Sequence, residues 1–538
     1  MLDICSLPKV KSPAKALYRR KRPATIIMVK KRVAVFCLVA GIMVVSLFLN
    51  VWGIRKSLPY GWEIDEPTHV VPAARMAATG SANPGWFGHP GSTVTYPLTA
   101  IFWLRYGAGA QQELKTSPGQ FYLTARLLTI LYAVMTIPFI YLVGREAFGA
   151  SVGVMAAWLF AICPLVIFYA QIVRSDSAAV FFGALSLWRI LKTYQHPSAR
   201  NHLWAGLAIG LGISSRYFMA SLVPLLIAVD CVLLYRTTET RRKILTASCV
   251  GILSVVAAFA LSTPYLFLDF QTARRNLQRE ARVTQLGADG LSPVGNLWWY
   301  LSDAIPRGIT RPLALLALLG GLIALFKRRF SQFLLLGYVV IFLLGISALA
   351  LHWPRWVIPI VPVFVLLAGL ALDTGARRIA GLWKRRAAVQ YSFLAVCLAA
   401  VSVQPAYAVV VHDIKDSHPN TRVLAREWMV KNAPAGSRVA DEGISAPLLH
   451  GAGFLVTGKR SIAEGRTVED YRREGFDYLI LSEHVRFAYL HEPERYRTEL
   501  DFYQDLAKCA RLVASFDPSS TRGGHGIRIY QLAQGKAP

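Results

Sequence analysis

The sequence predicts a polytopic α-helical membrane protein with about eleven transmembrane helices and a C-terminal α/β domain. Three observations carry this. Of 538 residues, 54% are hydrophobic and only 17% charged, with a mean hydropathy of +0.40, whereas a soluble domain carries about 45–50% apolar and about 25% charged residues. Apolar stretches long enough to cross a bilayer, about 20 residues each, recur along most of the chain. From Asp413 onward this pattern stops, and polar residues, Gly and Pro interleave with short apolar runs.

The first stretch, 33–52, follows a basic segment, 1–32, and reads as a retained span because no small-residue cleavage site follows it. The next stretches fall near 122–143, 151–170, 177–191, 203–217 and 218–235, then near 246–268, 310–326, 331–351, 356–373 and 389–410. Orientation follows from where Lys and Arg fall in the short loops. With ten basic residues, the N-terminal segment 1–32 belongs on the cytoplasmic side. That side then also receives Arg145, the Arg189/Lys192/Arg200 loop, Arg236 with Arg241, Arg242 and Lys243, then Lys327–Arg329, and Arg377 through Arg386. This parity requires Tyr96–Ala110 to lie at the surface rather than cross. The loop 53–120, the loop 269–309 and the C-terminal residues 413–538 then face the extracytoplasmic side, giving a transmembrane domain over 33–412. In a bacterium the membrane would be the plasma (inner) membrane.

Within 413–538, helix-like Arg422–Asn432, Val468–Glu474 and Asp501–Ala510 alternate with strand-like Ser437–Ala440, Tyr478–Leu481 and Leu512–Phe516, and Ile527–Leu532 adds a last strand. The formal net charge of +28 does not point to nucleic acid, because the basic residues are clustered between apolar runs rather than on one patch. The seven cysteines show no CxxC spacing, which argues against a zinc ribbon or a disulfide framework. No phosphate-binding glycine loop and no internal repeat are present.

The residues able to do chemistry concentrate on the extracytoplasmic side. Trp62-Glu63-Ile64-Asp65-Glu66-Pro67-Thr68-His69 places three carboxylates just beyond the first span, with Pro67 suited to the first position of a helix. Transfer to a hydroxyl needs a base, and a carboxylate held half-desolvated at a membrane boundary suits that task. Arg174, Arg216 and Arg355 each stand at the external end of a stretch, where an unpaired arginine is costly. Guanidinium groups so placed can receive a phosphate. The cluster Arg274, Arg275, Arg279 and Arg282 includes Glu280 and reads better as a solvated helix face. Asp65 and His69 are four apart and would share a helix face, so with Asp176 they are the candidates for a divalent metal ion. Trp62, Trp86, Trp298, Trp299, Tyr300 and Trp353 read as interfacial aromatics.

The order of these motifs resembles that of the GT-C glycosyltransferases, specifically the protein-mannosyltransferase-like, aminoarabinose-transferase-like family (glycosyltransferase family 39 type). The resemblance covers roughly residues 30–410. The Asp65-Glu66 pair is similar to the family's acidic motif after the first span. Ala73-Ala74-Arg75-Met76-Ala77-Ala78-Thr79-Gly80 resembles its small-residue helix, and His89-Pro90-Gly91 through Tyr96-Pro97-Leu98 fills the place of its His/Lys-Pro segment. Asp176, after Gln171-Ile172-Val173-Arg174-Ser175, resembles the second acidic site, and His352-Trp353-Pro354-Arg355-Trp356 the later basic-aromatic-Pro motif. The chain departs from the family at His89-Pro90-Gly91, where Lys-Pro-Pro is common, and at Arg355-Trp356, where Arg-Tyr is.

The resemblance implies a membrane glycosyltransferase. It would move a sugar from a polyprenyl-phosphate carrier to a glycan, lipid or protein acceptor by a single inverting displacement. Asp65, Glu66 and Asp176 are then the expected catalytic residues, and Arg174, Arg216, Arg355, His89, His352 and Tyr96 the expected substrate-binding ones. Two other classes compete. A lipid or sugar transporter would show paired repeats and acids at span centres; the sequence shows no paired inverted repeat and few such acids. A non-catalytic scaffold with an external binding domain would tolerate Asp65→Asn and Asp176→Asn.

Overall fold

A computed structural model describes residues 13–60, 63, 65–236, 241–286, 290–383, 386–443 and 445–532, with side chains from Arg32 on, His450 excepted. Trp62 and the first twelve residues of the basic segment lie outside the described residues. All eleven expected stretches are helical. Among the described residues, seven helices are long and apolar enough to cross a membrane: Arg32–Trp52, Pro118–Ala147, Tyr217–Arg236, Arg241–Ser262, Phe330–Ser347, Pro354–Ala380 and Arg386–Asn432. Two bent pairs, Ala150–Ala161 with Pro164–Ala170 (53°) and Pro293–Ile309 with Arg311–Lys327 (119°), bring the number to nine if each is one span. The remaining two helices fall short of that measure. Asp176–Gln195 carries Arg189 and Lys192 in its last two turns, and Ala199–Ser215 has 17 residues.

The helix Val361–Ala380 forms the centre of the bundle, buried along most of its length, with Arg311–Lys327, Ala150–Ala161 and Arg386–Asp416 around it. A second layer stacks Pro118–Ala147, Asp176–Gln195, Ala199–Ser215 and Arg241–Ser262 in order. The stretch expected over 246–268 stops at Ser262. Pro264 disfavours helical geometry at the residue before it, and a short turn, Tyr265–Leu268, follows.

The loop after the first span is mostly helical: Pro67–Thr79, Ser92–Tyr106 and Ala110–Thr116. The Ser92–Tyr106 helix turns Val94, Leu98 and Phe102 inward and leaves Trp103 and Leu104 exposed, the pattern of a helix lying along a surface. The second large loop carries Phe270–Glu280 and Pro293–Trp299.

The C-terminal part holds a five-stranded mixed sheet: β1 Arg438–Glu442, β2 Leu455–Lys459, β3 Tyr478–Ser482, β4 Arg511–Phe516 and β5 Ile527–Gln531, in the order β2-β1-β3-β5-β4. β1 pairs in parallel with β2 and β3, while β5 runs antiparallel to β3 and β4. Helix Thr421–Asn432 packs near β4 and β5 on one face. On the other, Val468, Tyr471, Phe502 and Leu506 pack against Ala440, Leu479 and Leu481. The strand β2 and the helix Glu483–Leu490 were not expected. The helix Arg386–Asp416 runs through the expected boundary at 413, so the last span is continuous with the stalk of this domain.

This part of the chain touches the loop after the first span directly. Lys56 Nζ lies 3.3 Å from Asp416 and 3.2 Å from Glu63. Gln171 Nε2 donates to Asp413 Oδ1 at 2.7 Å, Asn420 donates to Ser57, and the Arg426 guanidinium stacks 4.0 Å over the Tyr60 ring.

Candidate active site

Asp65 and Glu66 are neighbours in sequence with opposite fates. Glu66 caps the helix that Pro67 begins and is fully buried. Its carboxylate is held by Arg126, whose Nε and Nη2 donate to Oε1 and Oε2, each at 2.7 Å. It also accepts from the backbone N–H of Glu63 at 2.8 Å and of Val173 at 2.9 Å. Arg126 Nη1 in turn donates to the Ile54 and Lys56 carbonyls at 2.8 and 2.9 Å. One buried ion pair therefore joins the end of the first span, the acidic loop and the segment that carries Arg174. Glu66 was expected among the catalytic residues; with its lone pairs committed and no exposure, it holds the loop instead. Asp65 points the other way and keeps 41% of its side chain exposed.

Asp176 stands in the first turn of its helix, where the helix dipole favours a negative charge. Its Oδ2 accepts from Arg174 Nε and from Arg216 Nη2, both at 2.8 Å. Arg174 also pairs through Nη1 with Asp65. Arg216 follows the helix Ala199–Ser215 in an extended conformation, which turns its side chain back toward Asp176. Arg355 reaches the same place from the tenth stretch, hydrogen-bonded to Tyr169 and stacked 4.2 Å over Trp353. Arg216 Nε and Arg355 Nε are both buried without a hydrogen-bond partner. Buried donors of this kind are costly unless something fills the space before them.

These groups border one cavity of about 400 Å³, lined by Asp65, His89, Arg174, Arg216, Arg355, Tyr217, Trp353, Trp356 and, from the second loop, Glu280 and Arg282. Asp176 does not line it; it sits behind Arg174 and Arg216 and orients them. Four guanidinium groups against two lining carboxylates make a positive pocket suited to an anion. Its one lining histidine adds no charge, because burial, with the Arg216 guanidinium nearby, pushes His89 down to about 4. Burial pushes His69 down to about 3. Gly91 makes their packing possible. It adopts φ 55°, and a Cβ there would stand 2.2 Å from His69 Cε1, so only glycine fits.

Other expected residues lie elsewhere. The Tyr96 hydroxyl donates to the Ala82 carbonyl at 3.1 Å and steadies the loop outside the cavity. His352 packs against Trp299 with centroids 4.1 Å apart and the rings tilted at 47°, and does not line the cavity. His69 is buried against Thr95, 3.0 Å from its hydroxyl, while Asp65 and Asp176 face guanidinium groups. Asp65, His69 and Asp176 thus do not come together as a metal site, and no group of three or more His, Cys, Asp or Glu among the described residues does. Arg274, Arg275 and Arg279 stay outside the cavity, whereas Glu280 and Arg282 of the same segment enter it. Arg126 was missed, although an arginine nine residues into an apolar helix is the kind of signal that marks a paired internal charge.

Residues 119–267 match the family model described as dolichyl-phosphate-mannose-protein mannosyltransferase. Among solved structures, ArnT from Cupriavidus metallidurans in the apo state is similar over 93% of this chain and 98% of its own, at 16% identity and a TM-score of 0.55. The same protein bound to undecaprenyl phosphate aligns over 92% and 97%, at 15% identity and a TM-score of 0.54. The archaeal oligosaccharyltransferase AglB from Archaeoglobus fulgidus, in complex with an inhibitory peptide and a dolichol-phosphate, aligns over 94% of this chain and 75% of its own, at 14% identity and a TM-score of 0.52. None of the curated proteins compared matches the sequence. The chain has the fold of the GT-C membrane glycosyltransferases. Within that fold, its segment 119–267 is mannosyltransferase-like in sequence.

Proposed function

We propose that the chain is a glycosyltransferase that takes a sugar from a polyprenyl-phosphate carrier and passes it to an acceptor hydroxyl on the extracytoplasmic side. One observation carries the reading: a single cavity holds the half-exposed carboxylate of Asp65 beside the guanidinium groups of Arg174, Arg216 and Arg355. The similar structures bound to undecaprenyl phosphate or dolichol-phosphate support the donor class.

In this reading the donor phosphate enters the arginine end of the cavity and fills the space before the unpartnered Nε groups of Arg216 and Arg355. The acceptor oxygen attacks the anomeric carbon while the bond from that carbon to the phosphate oxygen breaks. The acceptor proton passes to Asp65, and the electron pair of the broken bond leaves with the phosphate, whose added negative charge the arginines stabilise. Asp176 keeps Arg174 and Arg216 aimed. Arg174, held between the two aspartates, marks where the acceptor side of the cavity meets the donor side.

Turnover and donor binding measured separately on purified protein test this. Asp65→Asn should lower turnover by about 10² to 10⁴ while donor affinity is kept. Arg355→Ala should weaken both. Full turnover by the Asp65→Asn variant, or transfer from a soluble nucleotide sugar with no lipid carrier present, would overturn the reading.

A further inference from the structure

A second cavity, of about 740 Å³, lies on the other side of the acidic loop, within the range of about 300–1,000 Å³ that binding pockets occupy. Arg55, Tyr60, Lys115 and Arg426 line it, and Leu58 and Leu123 form apolar parts of its wall. No acidic residue is among its lining. None of Arg55, Lys115 and Arg426 forms an ion pair among the described residues, whereas their neighbour Lys56 has two carboxylates within 3.3 Å. Arg426 Nε is moreover buried without a hydrogen-bond partner, although its guanidinium is stacked on Tyr60. Arg55 and Lys115 are exposed and Arg426 is half-buried, so cations from three separate elements give the cavity a positive lining, which draws an anion.

The position specifies what kind of anion. Arg55 comes three residues after the helix Arg32–Trp52, and Leu123 lies in the first turns of the helix Pro118–Ala147. The cavity therefore opens beside the ends of two helices long and apolar enough to cross a membrane, with leucines on its wall to meet a lipid chain and cations to meet its head. We infer that this cavity is a second anion-binding site, distinct from the catalytic one, which takes the phosphate of a membrane lipid headgroup. The site joins the membrane domain to the C-terminal domain, because Arg426 belongs to the latter. The inference does not depend on the transfer reaction, since it concerns binding alone.

The test uses the full chain in a neutral detergent, with short-chain phosphatidic acid as probe and short-chain phosphatidylcholine and inorganic phosphate as comparisons. Phosphatidic acid should bind better than either and more weakly as salt is raised. The triple variant Arg55→Gln, Lys115→Gln, Arg426→Gln should lose on the order of 100-fold in affinity. Arg426→Lys, which keeps the charge, should retain most of it and shows that the fold survives a change there. Arg355→Ala, in the catalytic cavity, should leave the affinity unchanged. Unaltered binding by the triple variant, loss of binding in Arg355→Ala, or equal binding of inorganic phosphate would each overturn the inference.

Discussion

At the scale of single residues, the pair of Glu66 and Arg126 shows how a buried charge positions one that does chemistry. Glu66 uses both carboxylate oxygens on Arg126 and on two backbone N–H groups, and the peptide that follows Asp65 is thereby fixed to the segment of Arg174. A charge left buried without its partner costs about 3–5 kcal/mol. Glu66→Gln should therefore lower the thermal unfolding temperature in detergent and reduce turnover, and Arg126→Met should do the same. The double variant, with neither charge left alone, should be less destabilised than the sum of the two single ones. Additive losses would show that the pair is not coupled in this way. The sequence displayed Asp65 and Glu66 as equivalent neighbours. What separates them is a partner sixty residues away, which local pattern cannot reveal. The same holds for His352 and Tyr96: residue type made them candidates, but tertiary packing decides that one packs against Trp299 and the other supports a loop.

At the scale of elements, the apolar stretches were legible because a bilayer demands long uninterrupted helices, and each of the eleven is helical. What a hydropathy pattern does not carry is how closely two helices approach. The helices Ala199–Ser215 and Arg241–Ser262 meet through glycine: a Cβ on Gly206 would lie 2.2 Å from the Gly251 carbonyl oxygen, and one on Gly210 would lie 2.5 Å from that of Val255. Small residues at such crossings let backbones touch where lipid gives no hydrophobic drive to associate. Arg216 immediately follows the first of these helices, so their spacing sets where its guanidinium stands. Gly206→Val should push the helices apart, lower thermal stability and weaken donor binding, although the residue does not line the cavity. A variant with unchanged donor affinity would show that Arg216 is positioned independently of this contact. In the C-terminal part, β2 escaped notice because Leu455-Val456-Thr457-Gly458-Lys459 is an edge strand whose residues are all exposed or half-exposed, so it lacks the run of buried residues that marks β1 and β3.

At the scale of the whole molecule, contacts constrain topology where hydropathy counts do not. Lys56 of the first loop pairs with Asp416, and Tyr60 stacks under Arg426, so the C-terminal domain and the acidic loop share one side of the membrane. An even number of crossings must then separate them, a condition met equally by seven, nine or eleven spans in total. We propose the sidedness from charge: the basic N-terminal segment, Lys327–Arg329 and Arg377–Arg378 go with the cytoplasm, and Asp65 and the sheet with the outside. The chain carries its own reporter for this. Cys509, at the end of the helix Arg497–Cys509, is exposed. An impermeant thiol reagent applied to intact cells should label it, and Cys509→Ser should abolish that signal. A cysteine placed at Arg328 in the Cys509→Ser background should stay protected until the membrane is opened. Labelling at 328 together with protection at 509 would invert the assignment and place the cavity on the side where nucleotide sugars, rather than lipid-linked ones, are the available donors.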